Sequence, residues 1–305
     1  MAANATGEAE TGPLRLQFDR SVKLAFKGSS ISSDGGLLLH RELDDALGLT
    51  DMAAVLFADP RTGRNGRHRL ISFLRQSVFS RLAGYEDVND AERLCRDPVM
   101  RWIIGGQSVK KGAASASAMG RFETEMLTQP DNLAVLADLP GRWIDLVHDR
   151  RPPKVITLDM DSSESPVHGD QEGAAWNGHF QSKCLHLLFV FNQFGDLERC
   201  ALRPGNVHSA DGWQDVLKPV LARYSAKARP SIKRRRFRAD AAFAIPALFD
   251  LLEAEGWDYA IRIKGNRKLY ERIDFLTKRR PGRPPNRVVR QYASIHYPAK
   301  NWSKP

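Results

Sequence analysis

The run Val155-Ile156-Thr157-Leu158-Asp159-Met160-Asp161 constrains this chain more than any other segment. Its β-branched and apolar residues predict a buried strand, yet it closes on two carboxylates. Side chains alternate along a strand, so Asp159 and Asp161 share one face. Unpaired carboxylates are costly in a core. Two accounts fit the residues alone. Either the strand ends here and the acids cap a turn into Ser162-Ser163, or the acids are held together for chemistry.

The following segments set the context. Residues 186–194 and 196–202 read as second and third strands, joined at the hairpin signal Gly195-Asp196. Ser209-Ala210-Asp211 predicts the cap of a helix over 212–224. Residues 236–242 read as a fourth strand. Ile245-Pro246 starts a helix ending before Gly256, and 259–264 makes a fifth strand. The fold class is therefore α/β: a mixed five-stranded sheet flanked by helices, the topology expected of a ribonuclease-H-like fold. In that topology the first and fourth strands are neighbours. Asp240, within Arg238-Ala239-Asp240-Ala241-Ala242-Phe243, then converges with Asp161 or Asp159. A salt bridge to the adjacent arginines is the competing account of Asp240. Magnesium takes one or two carboxylates plus substrate phosphate, and a pair of ions supports in-line phosphoryl displacement.

Before Lys154 the pattern is mostly helical. Residues 1–13 read as a disordered tail, 14–26 as one or two short strands, and 37–47, 68–83, 89–96 and 98–104 as helices. Residues 112–118 read as a connector, and 120–136 and 139–148 as helices broken at Pro130 and started at Pro140. The division is thus a tail, a helical region 14–150, a core 151–270, and a basic linker with the start of a strand-rich segment over 271–305. No helix-turn-helix signature stands out in the helical region.

Charge narrows the partners. The chain of 305 residues carries a net charge of +10, with dense groups at 233–238 and 278–290. Such clusters attract polyanions, although a solvated basic surface would have the same composition. Candidate DNA contacts are Lys233, Arg234, Arg235, Arg236 and Arg238, and in the second group Lys278, Arg279, Arg280 and Arg283. The stretch Arg280-Pro281-Gly282-Arg283-Pro284 has the look of a minor-groove hook, but a disordered basic linker is the preferred reading. The apolar runs are too short to span a membrane, and the N-terminus lacks a signal-peptide pattern, which predicts a cytoplasmic protein. The three cysteines suit neither a disulfide framework nor zinc, and His168, His179, His186 and His208 are not at zinc spacing.

Several stretches together resemble insertion-sequence transposases of the DDE type, related to retroviral integrases. They are Ser33-Asp34-Gly35-Gly36, Leu158-Asp159-Met160-Asp161-Ser162-Ser163, His168-Gly169 with Asn177-Gly178-His179, Leu202-Arg203-Pro204-Gly205-Asn206, Arg238-Ala239-Asp240-Ala241-Ala242-Phe243 and Tyr259-Ala260-Ile261-Arg262. The resemblance spans essentially the whole chain. It implies a magnesium-dependent enzyme, with a two-metal site, that cuts element ends and joins them to target DNA. The first catalytic Asp maps to Asp161, with Asp159 as its alternative, and the second to Asp240; Asp161 and Asp240 would hold metal. By analogy alone, the helical region would bind element ends, with packing on the core as the alternative. The family's third carboxylate is a Glu on a helix beyond an inserted segment. Glu271 is the weak candidate here, so the expectation is a C-terminally truncated transposase of poor solubility. The implied partners are double-stranded DNA, terminal repeats and target DNA, with a homodimer assembled on DNA, associated with a bacterial nucleoid. A non-catalytic DNA-binding remnant is the rival reading, and a nuclease on the same fold a third.

Overall fold

The computed structural model describes residues 14–19, 21–24, 32, 34–62, 66–278, 281–283, 286–297 and 302. The tail 1–13, Arg279 and Arg280 lie outside these described residues. The chain divides into two units, Met1–Arg150 and Arg151–Pro305.

The first unit opens with a two-stranded hairpin, β1 (Leu14–Arg15) and β2 (Lys23–Leu24). Helices α1 (Leu37–Leu47), α2 (Leu49–Leu56), α3 (Leu70–Leu82), α4 (Ala91–Leu94), α5 (Pro98–Ile104), α6 (Ser108–Lys111), α7 (Ala116–Arg121) and α8 (Pro130–Arg150) follow. Gly48 adopts φ 72° and its N–H closes α1 on the Asp44 carbonyl, as a left-handed cap should. The same residue opens α2, a helix absent from the sequence-based expectation. Pro140 does not start a new helix. It lies inside α8, which runs unbroken through the predicted boundary. A π-helical turn, Phe122–Met126, sits where a regular helix was expected. Two apolar clusters fill the unit. One centres on Leu16, Phe79, Met100 and Ile103, the other on Ala53, Phe73, Phe122 and Leu139. The buried Asp44 carboxylate is satisfied locally: it accepts from Thr50 N–H at 2.9 Å and from Arg41 at 3.1 Å.

The second unit is built on β3 (Val155–Pro166), β4 (Ala175–Asn177), β5 (Ser182–Asn192), β6 (Leu197–Ala201), β7 (Arg234–Ala239) and β8 (Asp258–Ile261). Helices α9 (Trp213–Arg223), α10 (Pro246–Ala254) and α11 (Arg267–Thr277) complete it. β3 pairs antiparallel with β5 and parallel with β7, β7 pairs parallel with β8, and β5 also carries β4 and β6 antiparallel. The expected order therefore holds, with β3 and β7 side by side. The sheet has six strands, not five, because Ala175–Asn177 adds β4 to the outer edge of β5.

Boundaries moved more than topology. β3 does not stop at the acids; Ser162–Pro166 continue as strand, paired with Leu188–Cys184, so no turn is capped there. Arg234 and Arg235 belong to β7 itself. Gly212, at φ 67°, precedes α9 in place of a side-chain cap, and the Asp211 carboxylate instead accepts from His208 N–H at 2.8 Å. The start of a strand-rich segment expected within 271–305 is not formed among the described residues, and 267–277 is helix.

Alternation sorts the two faces of the sheet. Ile156, Leu158, Met160, Leu188, Val190 and Phe237 turn to one side and pack with α9 and α10 in one apolar core. Within it Glu198 is fully buried. Its carboxylate accepts from Tyr224 Oη at 2.6 Å, Asn192 Nδ2 at 2.8 Å and Arg223 Nη1 at 2.8 Å. At the other end of β5, Gly205 lies so close to the chain that a Cβ would sit 2.0 Å from the Cys184 carbonyl oxygen. Asn177 Nδ2 donates to the Gly205 carbonyl at 2.7 Å, and Arg203 donates to the carbonyls of His186 and Asp211. Both motif segments thus form one backbone-packed corner.

Candidate active site

The same alternation places the chemistry on the face opposite that core. Asp159 and Asp161 point away from Leu158 and Met160, and on the neighbouring strand Arg234, Arg236 and Arg238 point away from Phe237. Asp159 and Arg238 are paired positions in the β3–β7 register. The guanidinium Nε and Nη2 donate to the two carboxylate oxygens, Nε at 2.5 Å, forming a bidentate ion pair. That pair raises the Arg238 pKa.

Asp161 and Asp240 stand one step beyond Met160 and Ala239, the last paired positions of the two parallel strands. Both are exposed. Asp161 Oδ1 accepts from Ser162 N–H at 2.8 Å. Asp240 Oδ1 accepts from Ala242 N–H at 3.0 Å, capping the 3-10 turn Ala241–Phe243 that leads to α10. Each keeps a second carboxylate oxygen available. The register of the two parallel strands, Asp161 within β3 and Asp240 just past the end of β7, thus sets side by side two acids that lie 79 positions apart in sequence.

An open cleft of about 640 Å³ lies along this face, lined by Asp159, Asp161, Ser163, Phe189, Phe191 and Arg238. Ser163, Phe189 and Phe191 were not singled out from the sequence. The signal was available: Phe189 and Phe191 alternate with the buried Leu188, Val190 and Asn192, which assigns them to the acidic face. Gln193 was also missed; its amide donates to Val155 carbonyl and accepts from Thr157 N–H, both at 2.8 Å, and so fixes the start of β3.

The remaining candidates separate. Arg235 turns the other way and donates to the carbonyls of Tyr224 at 2.5 Å and Arg229 at 3.0 Å, a structural clamp. Arg234 and Arg236 are exposed on the acidic face, while Lys233 is exposed just before it and donates to Pro230 carbonyl. Lys278 pairs with Asp274 at 3.3 Å, and Arg283 is exposed. Glu271 lies on the exposed helix α11, paired with Arg267 at 2.8 Å. Among the described residues no third acidic, histidine or cysteine side chain joins Asp161 and Asp240, so Glu271 is not brought to them. His186 is buried with Nδ1 3.0 Å from the Val207 carbonyl, a structural role. An all-oxygen donor set with free carboxylate oxygens fits a hard divalent cation that completes its shell with phosphate and water.

Comparison with solved structures finds transposases. The piggyBac transposase synaptic complex with hairpin DNA aligns over 84% of this chain and 55% of its own, at 13% identity and TM-score 0.34. The Mos1 mariner paired-end complex with Mn aligns over 82% and 81%, at 13% identity and TM-score 0.23. This chain therefore spans about half the length of the first of these. A comparison with curated proteins finds no significant match. No helix among the described residues is long and apolar enough to cross a membrane. Residues 14–305 match the family described as transposase DDE domain, group 1, and the chain belongs to that family.

Proposed function

We propose that this chain acts in DNA transposition, by phosphoryl transfer at the face that carries Asp161 and Asp240. The observation that carries the proposal is their placement: two exposed carboxylates at adjacent register positions, Asp161 within β3 and Asp240 just past the end of parallel β7, beside a row of arginines. Asp161 and Asp240 would hold a divalent cation, magnesium, together with a DNA phosphate. When bound, the cation lowers the charge on the phosphate oxygens and assists in-line displacement. Asp159 is committed to Arg238 and positions that guanidinium toward the cleft. Arg234 and Arg236, on the same face, attract the backbone of the duplex. Element ends, target DNA and a dimer assembled on them belong to the same reading.

The proposal is tested by replacing magnesium with Fe2+ in the presence of ascorbate and peroxide, with duplex DNA present. Oxidative backbone scission confined to the neighbourhoods of 159–163 and 238–242 supports it. Scission elsewhere, or cuts that persist in the double variant Asp161→Asn with Asp240→Asn, overturns it. A DNA-binding role without turnover is favoured by one observation, the lack of a third acidic partner among the described residues. Magnesium-dependent nicking of element-end DNA that vanishes in Asp240→Asn would exclude it.

A further inference from the structure

A second basic surface lies within the first unit, with no aspartate or glutamate in its wall among the described residues. Arg61, Arg67, Arg96, Lys111 and Arg121 line an open cavity of about 450 Å³, with His68 among the remaining lining residues. Arg61 is committed to structure. Its guanidinium binds Asp59 through two nitrogens at 2.8 and 2.6 Å, donates to His68 carbonyl at 2.9 Å, and lies over the Phe73 ring. The other four are exposed, and none of them forms an ion pair among the described residues.

Four unneutralised cations from four separate stretches of chain repel one another when they meet at one cleft. Nothing in the packing requires the meeting: the apolar cores beneath are closed by Phe73, Met119 and Phe122. The field is felt by the buried His68, whose pKa is lowered by burial first and then by the charges of Arg67 and Arg61. A polyanion relieves that repulsion. Three arginines can each grip a phosphate through paired N–H groups, and the lysine adds a point charge. The cleft is open, which suits consecutive phosphates of a polymer over an enclosed small anion.

We propose that this cleft of the first unit seats the phosphate backbone of double-stranded DNA. The proposal rests on the transposase reading only for the identity of the polyanion, and it assigns DNA a surface distinct from the aspartate site.

The full-length chain is titrated with a fluorescent duplex at several salt concentrations. In the triple variant Arg67→Gln, Arg96→Gln, Arg121→Gln, affinity should fall at least tenfold at the lowest salt. The dependence of log K on log salt should flatten by about 0.9 for each phosphate the variant no longer neutralises. A measurement on the unaltered protein covers the case of a misfolded variant: Cys95 also lines the cleft. Bound duplex should slow its alkylation. Unaltered affinity and slope in a folded triple variant overturn the cleft, as does a Cys95 rate indifferent to DNA. If Arg234→Gln with Arg236→Gln abolishes binding instead, the cleft proposal falls while the transposase reading stands. Tighter binding of hairpin RNA than of duplex DNA also overturns it.

Discussion

Arg238 and Asp159 occupy paired positions on parallel strands, and their side chains close a two-point ion pair across the acidic face. The pair separates two carboxylates that the sequence leaves equivalent. Asp159 has both oxygens engaged by a guanidinium, whereas Asp161 has one engaged by its neighbour's amide. Asp161→Asn should therefore remove iron-directed scission at this face, and Asp240→Asn should do the same. Asp159→Asn should leave scission in place while weakening DNA binding through a loosened Arg238. Equal loss in Asp159→Asn and Asp161→Asn would refute this division of labour.

The buried carboxylate of Glu198 should be a stability determinant. Removing one partner of a buried charged network costs about 3–5 kcal/mol, so Glu198→Ala should shift the urea midpoint sharply downward. Glu198→Gln, which keeps an acceptor for Tyr224 or Asn192, should lose clearly less. Indistinguishable midpoints for the two variants would remove the carboxylate from this role.

Gly205 has no space for a side chain. Overpacking costs about 1–3 kcal/mol where side chains can yield, and here the obstacle is the Cys184 backbone. Gly205→Ala should reach the upper end of that range, which lowers Tm by roughly 6–12 °C in a unit of this size. A melting curve superimposable on wild type would show that the corner is plastic.

His68 should make the first unit acid-sensitive. Burial and the nearby Arg67 and Arg61 hold its pKa below the ordinary 6.5. The folded unit keeps the imidazole neutral where the unfolded chain takes up a proton. Its contribution is therefore complete above pH 6.5 and is lost as pH falls toward and through the depressed value. Melting temperatures measured between pH 8 and 5 should decline, and His68→Asn should flatten the decline. Bound DNA, by neutralising Arg67, should raise the His68 titration midpoint in an NMR experiment.

The sheet was legible because its strands are punctuated. Val155–Asp161, the hairpin at Gly195 and the Pro246–Gly256 bracket around α10 each carry a local signal, and their order alone sets β3 beside β7. The expectation that Asp161 and Asp240 share one site was drawn from that order. β4 was not legible, since three residues of strand have no period to detect. Nor was the continuity of α8: proline favours a first turn, so Pro130 and Pro140 each imitate a start. The split between Arg235 and its neighbours was readable in principle from alternation, but a run of arginines invites treatment as one patch. Glu198 could not be found at all, because its partners come from a hairpin and a helix.

The register of β3 and β7 has one more implication. Asp161 and Asp240 meet only because the two strands are aligned without offset, held at their start by Lys233 and Arg234 N–H groups on the Lys154 carbonyl. A one-residue slip of β7 would set an alanine, Ala239 or Ala241, beside Asp161 and turn Phe237 out of the core. The proposed catalytic arrangement is therefore recorded in the phase of two strands. Insertions between α9 and β7 can be tolerated as slack, whereas a single inserted codon inside β7 would erase the site without deleting any of its residues.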